Sequence, residues 1–432
     1  MSALDSLYHH HVHALQAATE QALASAGFDA LILASGSASS KNRFDDQSWP
    51  LSPTPAFLHW VPLPEPDAYL VIRPGARPRL IRTLAEDYWE APTPPDSDHF
   101  LAEVDAVTVP AAAVAGELAL PGRVAVICRD DQCAAAGTLN PAALIAALDQ
   151  IRTRKSDYEL YCLAQATEVA ARGHRKVAEL FAAGDPSELQ LHLAYLTATD
   201  QDDAQAPYKG IVAVGEHAAI LHWVSYQRRA SGRPDTSLLV DAGARHLGYG
   251  CDITRTYARG AGAAARRFAD CIQRLDVLQR QVCARIEVGM EYEALHDYSH
   301  ELLGVALVEL GLGKGDPATL VARGVTRALF PHGLGHSLGI VTHDVGMKLR
   351  APRPDNQYLR NTSRVEVGQV FTIEPGLYVI DQLLAPLRAD DRRGLLDWDA
   401  LATLAPFGGI RIEDNLAVTA RGVVNLTRQA LA

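Results

Sequence analysis

Residues 237–260 read SLLVDAGARHLGYGCDITRTYARG, two β-rich runs flanking a segment that contains Gly243, Gly248 and Gly250. The pattern predicts an antiparallel hairpin with an irregular loop. Asp241 and Asp252 stand equidistant from its middle. Residues directly opposite on antiparallel strands share a face, with Cβ atoms about 5 Å apart. The hairpin therefore predicts two converging carboxylates, which repel each other unless a cation holds them.

Working outward, the same situation recurs in VFTIEPGLYVI (370–380) and GGIRIEDNLAV (408–418), where Glu374 and Glu413 each sit in a strand of apolar neighbours. Ile373-Glu374-x-x-Leu377 and Ile412-Glu413-x-x-Leu416 even look alike. One acid in such a setting reads as a salt-bridge or capping partner. Four lone carboxylates in apolar strands would be costly, and together they point to a bound cation.

The segment PHGLGHSLGIVTHDVG (331–346) adds His332, His336 and His343. The first two are spaced for one helical face, but Gly333 and Gly335 disfavour a helix, so a turn that brings backbone close to the site is expected. Each of these histidines alone reads as a satisfied structural imidazole. One imidazole joined to four carboxylates makes a hard, oxygen-rich site that suits Mn²⁺, Co²⁺ or Fe²⁺, with zinc also admissible. Two divalent ions would cancel four formal negative charges, whereas one would leave a net −2, so a pair is the expectation.

The chain around these segments has 432 residues, 48% of them hydrophobic, enough for two domains. A formal net charge of −11 argues against nucleic acid as a partner, because that binding depends on Lys and Arg neutralising phosphates. No apolar run approaches the roughly 20 residues of a membrane span, and MSALDSLYHHHVHALQ lacks the regions of a signal peptide. A cytoplasmic protein without membrane partners is expected. Six cysteines without a C-x-x-C pair read as buried reduced thiols. The tract His9, His10, His11 and His13 offers imidazoles to stray metal, but Tyr8, Val12, Leu15 and Ala22 fit the inner stripe of an amphipathic helix, and that reading is preferred.

The class expected is α/β (α+β). A first domain over 1–150 has a helix at 4–26, a strand at 28–35, a Pro-rich loop from Gly36 to about Pro66, strands in YLVIRP and RPRLIRT around Pro74-Gly75, and another at 124–130. A second domain over 151–432 opens on the capping-box pattern Ser156-Asp157-Tyr158-Glu159. Helices are expected at 187–199, 262–287 and 292–312, and strands around 210–224, 236–257, 369–380 and 408–418.

These segments resemble the pita-bread metallopeptidase family, which includes methionine aminopeptidase, aminopeptidase P, creatinase and prolidase. The resemblance implies a creatinase-like α/β domain followed by a pita-bread catalytic domain. It also implies a dinuclear centre ligated by Asp241, Asp252, His336, Glu374 and Glu413, in which Asp252 and Glu413 bridge. His332 and His343 would lie beside the ions and serve the substrate. Arg411, two residues before Glu413 and on the same strand face, would orient a ligand carboxylate. Creatinase does not use the metals, and methionine aminopeptidase normally lacks the first domain.

Within the family, FDDQSWPLSPTPAFLHWVP (44–62), EDYWEAP (86–92), RTRKSDYEL, APYKGIVAVGEHAAILHW (206–223), YLRNTSR (358–364), LLAPLR and PFGGIRIEDN (406–415) are similar to the bacterial prolidases and to their relatives the organophosphorus acid anhydrolases. That similarity implies hydrolysis of Xaa-Pro dipeptides by a metal-bridging hydroxide, with Mn²⁺ the first choice of ion. Tyr208 would line the pocket, and His222, His343 and Arg360 would take the proline carboxylate. His332, His343 and Glu374 would carry the catalytic roles. In a homodimer, the first domain would bring Asp45 and Trp89 over the partner's site, Asp45 pairing with the substrate's ammonium. Two departures stand out: the second Arg of RNTSR, Arg364, falls a residue late, and the stretch 383–400 is unusually charged. Alternatives are removal of an N-terminal residue before proline from longer peptides, phosphotriester hydrolysis as a side activity, and a non-catalytic scaffold, which ordinarily loses its metal ligands.

Overall fold

The computed structural model describes residues 2–84, 95–129 and 135–432. Trp89 lies outside the described residues, as does the whole motif EDYWEAP around it. The chain divides into two compact units: Met1–Cys162 with Leu247–Tyr249, and Leu163–His246 with Gly250–Ala432. No helix among the described residues is long and apolar enough to cross a membrane.

The first unit opens on the helix Ala3–Ala26, where Ser2 and Asp5 form a reciprocal cap and Gly27, at φ 73°, ends it in the left-handed conformation that glycine tolerates. Tyr8, Val12, Leu15 and Ala22 are buried along it, the stripe expected from their spacing. Against this stands a sheet of six strands: β1 (Ala30–Ala34), β2 (Tyr69–Ile72), β3 (Arg79–Leu84), β4 (Asp105–Pro110), β5 (Val124–Ile127) and β6 (Thr138–Leu139), in the order β4-β3-β2-β1-β5-β6. The hairpin β2–β3 turns at Pro74-Gly75 with Leu70 opposite Leu80. β4 carried little sequence signal because it is mostly exposed and only Val107 and Val109 pack against the core.

The helix Asp157–Ala183 starts where the capping box placed it: Ser156 N donates to Glu159 Oε2 at 2.8 Å and Glu159 N to Ser156 Oγ at 3.3 Å. The second unit continues with helices Glu188–Thr199, Ala263–Ala284 and Tyr292–Glu309, each close to its expected span. Its strands are β7 (Ile211–Val214), β8 (Thr236–Asp241), the short β9 (Arg245–His246) and β10 (Tyr249–Gly250), β11 (Thr254–Arg259), β12 (Val370–Ile373), β13 (Gly376–Tyr378), β14 (Gly409–Arg411), β15 (Asp414–Thr419) and β16 (Gly422–Asn425). They form the sheets β11-β8-β7, β12-β15-β16 and β13-β14. The largest core, with Phe268, Leu278, Tyr292, Leu307, Phe371 and Leu401 among its members, takes in β12 to β15, while β7 and β8 bury Val212, Leu238 and Val240 in a separate cluster. The stretch 383–400 becomes helix Asp381–Ala389, a 3₁₀ turn and the start of helix Trp398–Leu404, which bury Leu384, Leu387 and Leu401.

Two expectations about the acids need correction. Asp241 stands opposite Thr254, not Asp252. Asp252 has left the ladder, and its amide turns to Asn415 Oδ1 at 3.3 Å. It lies two residues before Thr254 and so keeps the same facing, which is why the carboxylates still converge. Gly243 lets the two arms meet here, because a Cβ would collide with the carbonyl oxygen of Cys251.

The glutamates, too, sit at breaks rather than inside strands. Ile373 pairs with Asp414 in one sheet and Gly376 with Arg411 in another, and the unchanged register between those pairs sets Glu374 opposite Glu413. Pro375, which has no amide hydrogen, occupies the break. The freed groups are satisfied across the site: Glu374 N donates to Leu334 O at 2.8 Å and Glu413 N to Thr254 O at 3.0 Å.

Residues 331–346 form the turn the glycines suggested, with no helix in them. A Cβ on Gly335 would overlap Thr372 O and the Tyr292 hydroxyl, and one on Gly333 would sit 2.9 Å from Tyr358 O. Gly335→Ala is therefore expected to lower stability by about 1–3 kcal/mol through overpacking against backbone and to loosen His336. Urea unfolding together with metal retention on dialysis measures both.

Candidate metal centre

Five side chains from four segments meet at one place. His336 Nε2 is 3.4 Å from Asp252 Oδ2, 3.7 Å from Glu374 Oε1 and 3.7 Å from Glu413 Oε1. Asp252, His336 and Glu413 are all buried, with ligand atoms within 4.8 Å of one another. The His336 Nδ1–H donates to Ser337 O at 3.0 Å, which fixes the tautomer and aims the Nε2 lone pair at the carboxylates. Asp241 joins through Tyr208, whose hydroxyl bonds Asp241 Oδ1 at 2.8 Å and also Asp252 Oδ1. The phenol expected to line a substrate pocket thus holds the two aspartates together.

Arg411 occupies the position its strand parity implied. Its Nη2 donates to Asp241 Oδ2 at 2.6 Å and its Nε to Thr254 Oγ1 at 3.2 Å, and Thr254 in turn donates to Glu413 Oε2 at 2.8 Å. Through Nη1 it also donates to the Tyr378 hydroxyl at 2.8 Å. That hydroxyl donates to His332 Nε2 at 2.9 Å, because His332 Nδ1–H is committed to Gly333 O at 2.9 Å. Neither Tyr378 nor Thr254 was singled out from the sequence. Both share the parity of a named acid, four residues after Glu374 and two after Asp252, and the rule that located Arg411 would have located them.

The electrostatics of the cluster call for positive charge. Asp252 is pushed well above the usual carboxylate range by burial, then by Glu413 and Asp241, and Glu374 likewise by burial and then Glu413. Burial also acts to raise Asp241, but Arg411 and the Tyr208 hydroxyl hold it below its ordinary value. One oxygen, Glu413 Oε1, is buried without any hydrogen-bond partner among the described residues. An orphaned carboxylate oxygen beside three further carboxylates and an aimed imidazole fits divalent cations in kind and number of donors.

At the rim, the His343 ring stacks edge-on against His336 with centroids 4.4 Å apart. Burial, then His336 and Arg360, push His343 down to about 3, and His222 adds to this. Arg360 and His222 are both exposed, and Arg360 makes no ion pair among the described residues. His332 lies 3.6 Å from Glu374 Oε2 and is pushed down to about 3 by burial and then Arg411. The segment carrying His222 is pinned by a residue the sequence reading passed over, the buried Glu188. It accepts from Val214 N at 2.9 Å, His217 Nδ1 at 2.7 Å, Trp223 Nε1 at 2.8 Å and Gln227 N at 2.7 Å.

Arg364 and Asp45 make local contacts. Arg364 pairs with Glu291 at 2.9 Å and is two-thirds exposed, a surface ion pair. Asp45 is exposed, and its Oδ1 accepts from Gln47 N at 3.0 Å in a local turn.

Comparison with known proteins covers both halves. Residues 161–420 match metallopeptidase family M24, and residues 6–150 match the Xaa-Pro dipeptidase N-terminal domain family. The chain is 42% identical over 425 residues to a Xaa-Pro dipeptidase of Marinobacter nauticus, spanning 97% of each. It is 39% identical over 443 residues to a Xaa-Pro dipeptidase of Xanthomonas campestris pv. campestris, spanning 100% of this chain and 99% of that one. Among solved structures, aminopeptidase PepP of Pseudomonas aeruginosa superposes with a TM-score of 0.74 at 22% identity, over 99% of this chain and 95% of that one. A zinc-substituted Escherichia coli aminopeptidase P in complex with product gives 0.73 at 21%, over 100% and 96%. At those identities the likeness is one of fold.

Proposed function

The chain belongs to metallopeptidase family M24, and from that premise we propose that it is a Xaa-Pro dipeptidase, a metal-dependent hydrolase that splits Xaa-Pro dipeptides into an amino acid and proline. The observation that carries this reading is the extent of the likeness: named dipeptidases match across the whole length, N-terminal half included. The finer reading is of two Mn²⁺ ions per chain, working in a cytoplasmic homodimer, with Asp45 and Trp89 reaching the substrate's amino end.

Divalent ions held by Asp241, Asp252, His336, Glu374 and Glu413 would supply an acidified water and a Lewis acid at the scissile carbonyl. The remaining work belongs to side chains. Glu374, set opposite Glu413 at the matched strand breaks, takes a proton at its carboxyl and passes it to the prolyl nitrogen as that nitrogen leaves. His332, locked by Gly333 and Tyr378, keeps a neutral ring next to Glu374 and orients the substrate. His343 faces the developing oxyanion. Proline's amide has no N–H to grip, so recognition falls on its carboxylate, for which Arg360 and His222 supply charge and donors.

Purified protein supplied with Mn²⁺ should cleave Ala-Pro and Leu-Pro and leave Ala-Pro-Ala nearly untouched. Chelation should remove activity and added Mn²⁺ restore it, with about two ions per chain by elemental analysis. Full activity in chelator would sink the metal reading. Preference for Ala-Pro-Ala would shift the assignment to an aminopeptidase acting before proline.

A further inference from the structure

The histidine tract of the first helix divides in the folded chain. His11 turns inward, its Nδ1 bonded to Ser156 Oγ at 2.8 Å and its Nε2 to His59 O at 2.8 Å. His9 and His13, one helical turn apart, turn outward on a shared face with ring centroids 4.2 Å apart. Facing both is Glu103, at the end of the 3₁₀ turn His99–Glu103 and distant in sequence. Its Oε1 is 2.9 Å from His9 Nδ1 and its Oε2 3.7 Å from His13 Nε2.

A simple ion pair between Glu103 and a protonated His9 would account for the first contact. It leaves unexplained why His13 is held on the same carboxylate, with ligand atoms of all three residues within 4.8 Å of one another. Two imidazoles of one charge state would repel there when protonated, whereas two neutral imidazoles and a carboxylate make a facial donor set. His10 takes no part, since its Nδ1 bonds Ser6 O at 2.7 Å. The helix is 24 residues long and capped at both ends, so the pair is presented on a rigid element.

We propose that His9, His13 and Glu103 form a surface site for a borderline divalent cation such as Zn²⁺, Ni²⁺ or Cu²⁺. It differs from the buried cluster in kind as well as place. The buried cluster has one imidazole among four carboxylates and suits harder ions, while two nitrogens and one oxygen select for the later members of the divalent series. The side chains of His9 and His13 are 42% and 64% exposed, so an ion reaches the site directly from solvent and keeps water in its remaining positions. Once bound, it ties the first helix to the turn ending at Glu103 and stabilises the first unit by mass action.

The test uses the full-length untagged chain with its buried site already loaded with Mn²⁺. After equilibrium dialysis against Zn²⁺, elemental analysis should find one equivalent more in the parent than in His9→Ala, His13→Ala or Glu103→Gln. His10→Ala should match the parent, and Ala-Pro turnover should be the same in all of them. Equal Zn²⁺ uptake by the parent and His13→Ala overturns the site. So does a loss in His10→Ala as large as that in His13→Ala, which would mark the tract as a non-specific chelator.

Discussion

Asp252→Asn should leave a folded protein that no longer holds its metal, with affinity reduced by on the order of 100-fold or more and turnover of Ala-Pro abolished. Asparagine keeps the size of the side chain and can still meet the Tyr208 hydroxyl, but it offers one neutral oxygen in place of two anionic ones. Losing even an outer-shell partner of a ligand typically costs 10- to 100-fold, so a bridging ligand should cost more. A second readout separates this from damage to the fold. In the metal-free parent, Asp252 is crowded by Glu413 and Asp241, which together with burial oppose its ionisation. A neutral amide of the same size adds no charge to that crowd, so the metal-free variant should be about as stable as the metal-free parent. The stabilisation that saturating Mn²⁺ gives the parent, about 2.7 kcal/mol at a hundredfold excess over Kd, should vanish. A variant that keeps this metal-dependent rise in its unfolding midpoint, with near-normal turnover, refutes the bridging role.

Arg360→Ala should weaken hydrolysis of Xaa-Pro dipeptides by roughly 10- to 100-fold or more, the loss of one charge-assisted contact of about 1.5–3 kcal/mol. Metal content should not change. A substrate whose C-terminal carboxylate is amidated already lacks the charge, so it should be poor with the parent and nearly indifferent to the mutation. Non-additivity of that kind arises only when the two altered groups interact. The exposed guanidinium makes no ion pair among the described residues, and its charge acts to lower the pKa of His343, as a clamp awaiting an anion would. Equal proportional losses on free and amidated substrates would move Arg360 out of the site.

The acid quartet was legible because a carboxylate among apolar strand residues violates the ordinary pattern, and four such violations in one chain share an explanation. Strand parity was equally legible and located Arg411. The exact pairing was not. Asp252 leaves its ladder and Glu374 and Glu413 sit at breaks because loop geometry and Pro375 override the periodic strand pattern, and neither is visible in periodicity. Contacts between distant segments were also beyond reach: nothing local ties Tyr208 to two aspartates, Glu188 to the His222 segment, or Glu103 to the first helix. The caps at Ser156 and the turn at Pro74-Gly75 were readable because their chemistry lies within a few residues.

The matched breaks at Glu374 and Glu413 bear on which changes in length this chain can accept. Side chains alternate faces along a strand, so inserting or deleting a single residue between Val370 and Tyr378, or between Gly409 and Thr419, would swing an acid to the opposite face and dissolve the pairing of the two breaks. The 30 residues that connect Tyr378 to Gly409 carry no such constraint, because they return to the same register whatever their number. Insertions and deletions compatible with activity should therefore accumulate between 381 and 404, within helices and turns that contribute to the core but supply no ligand.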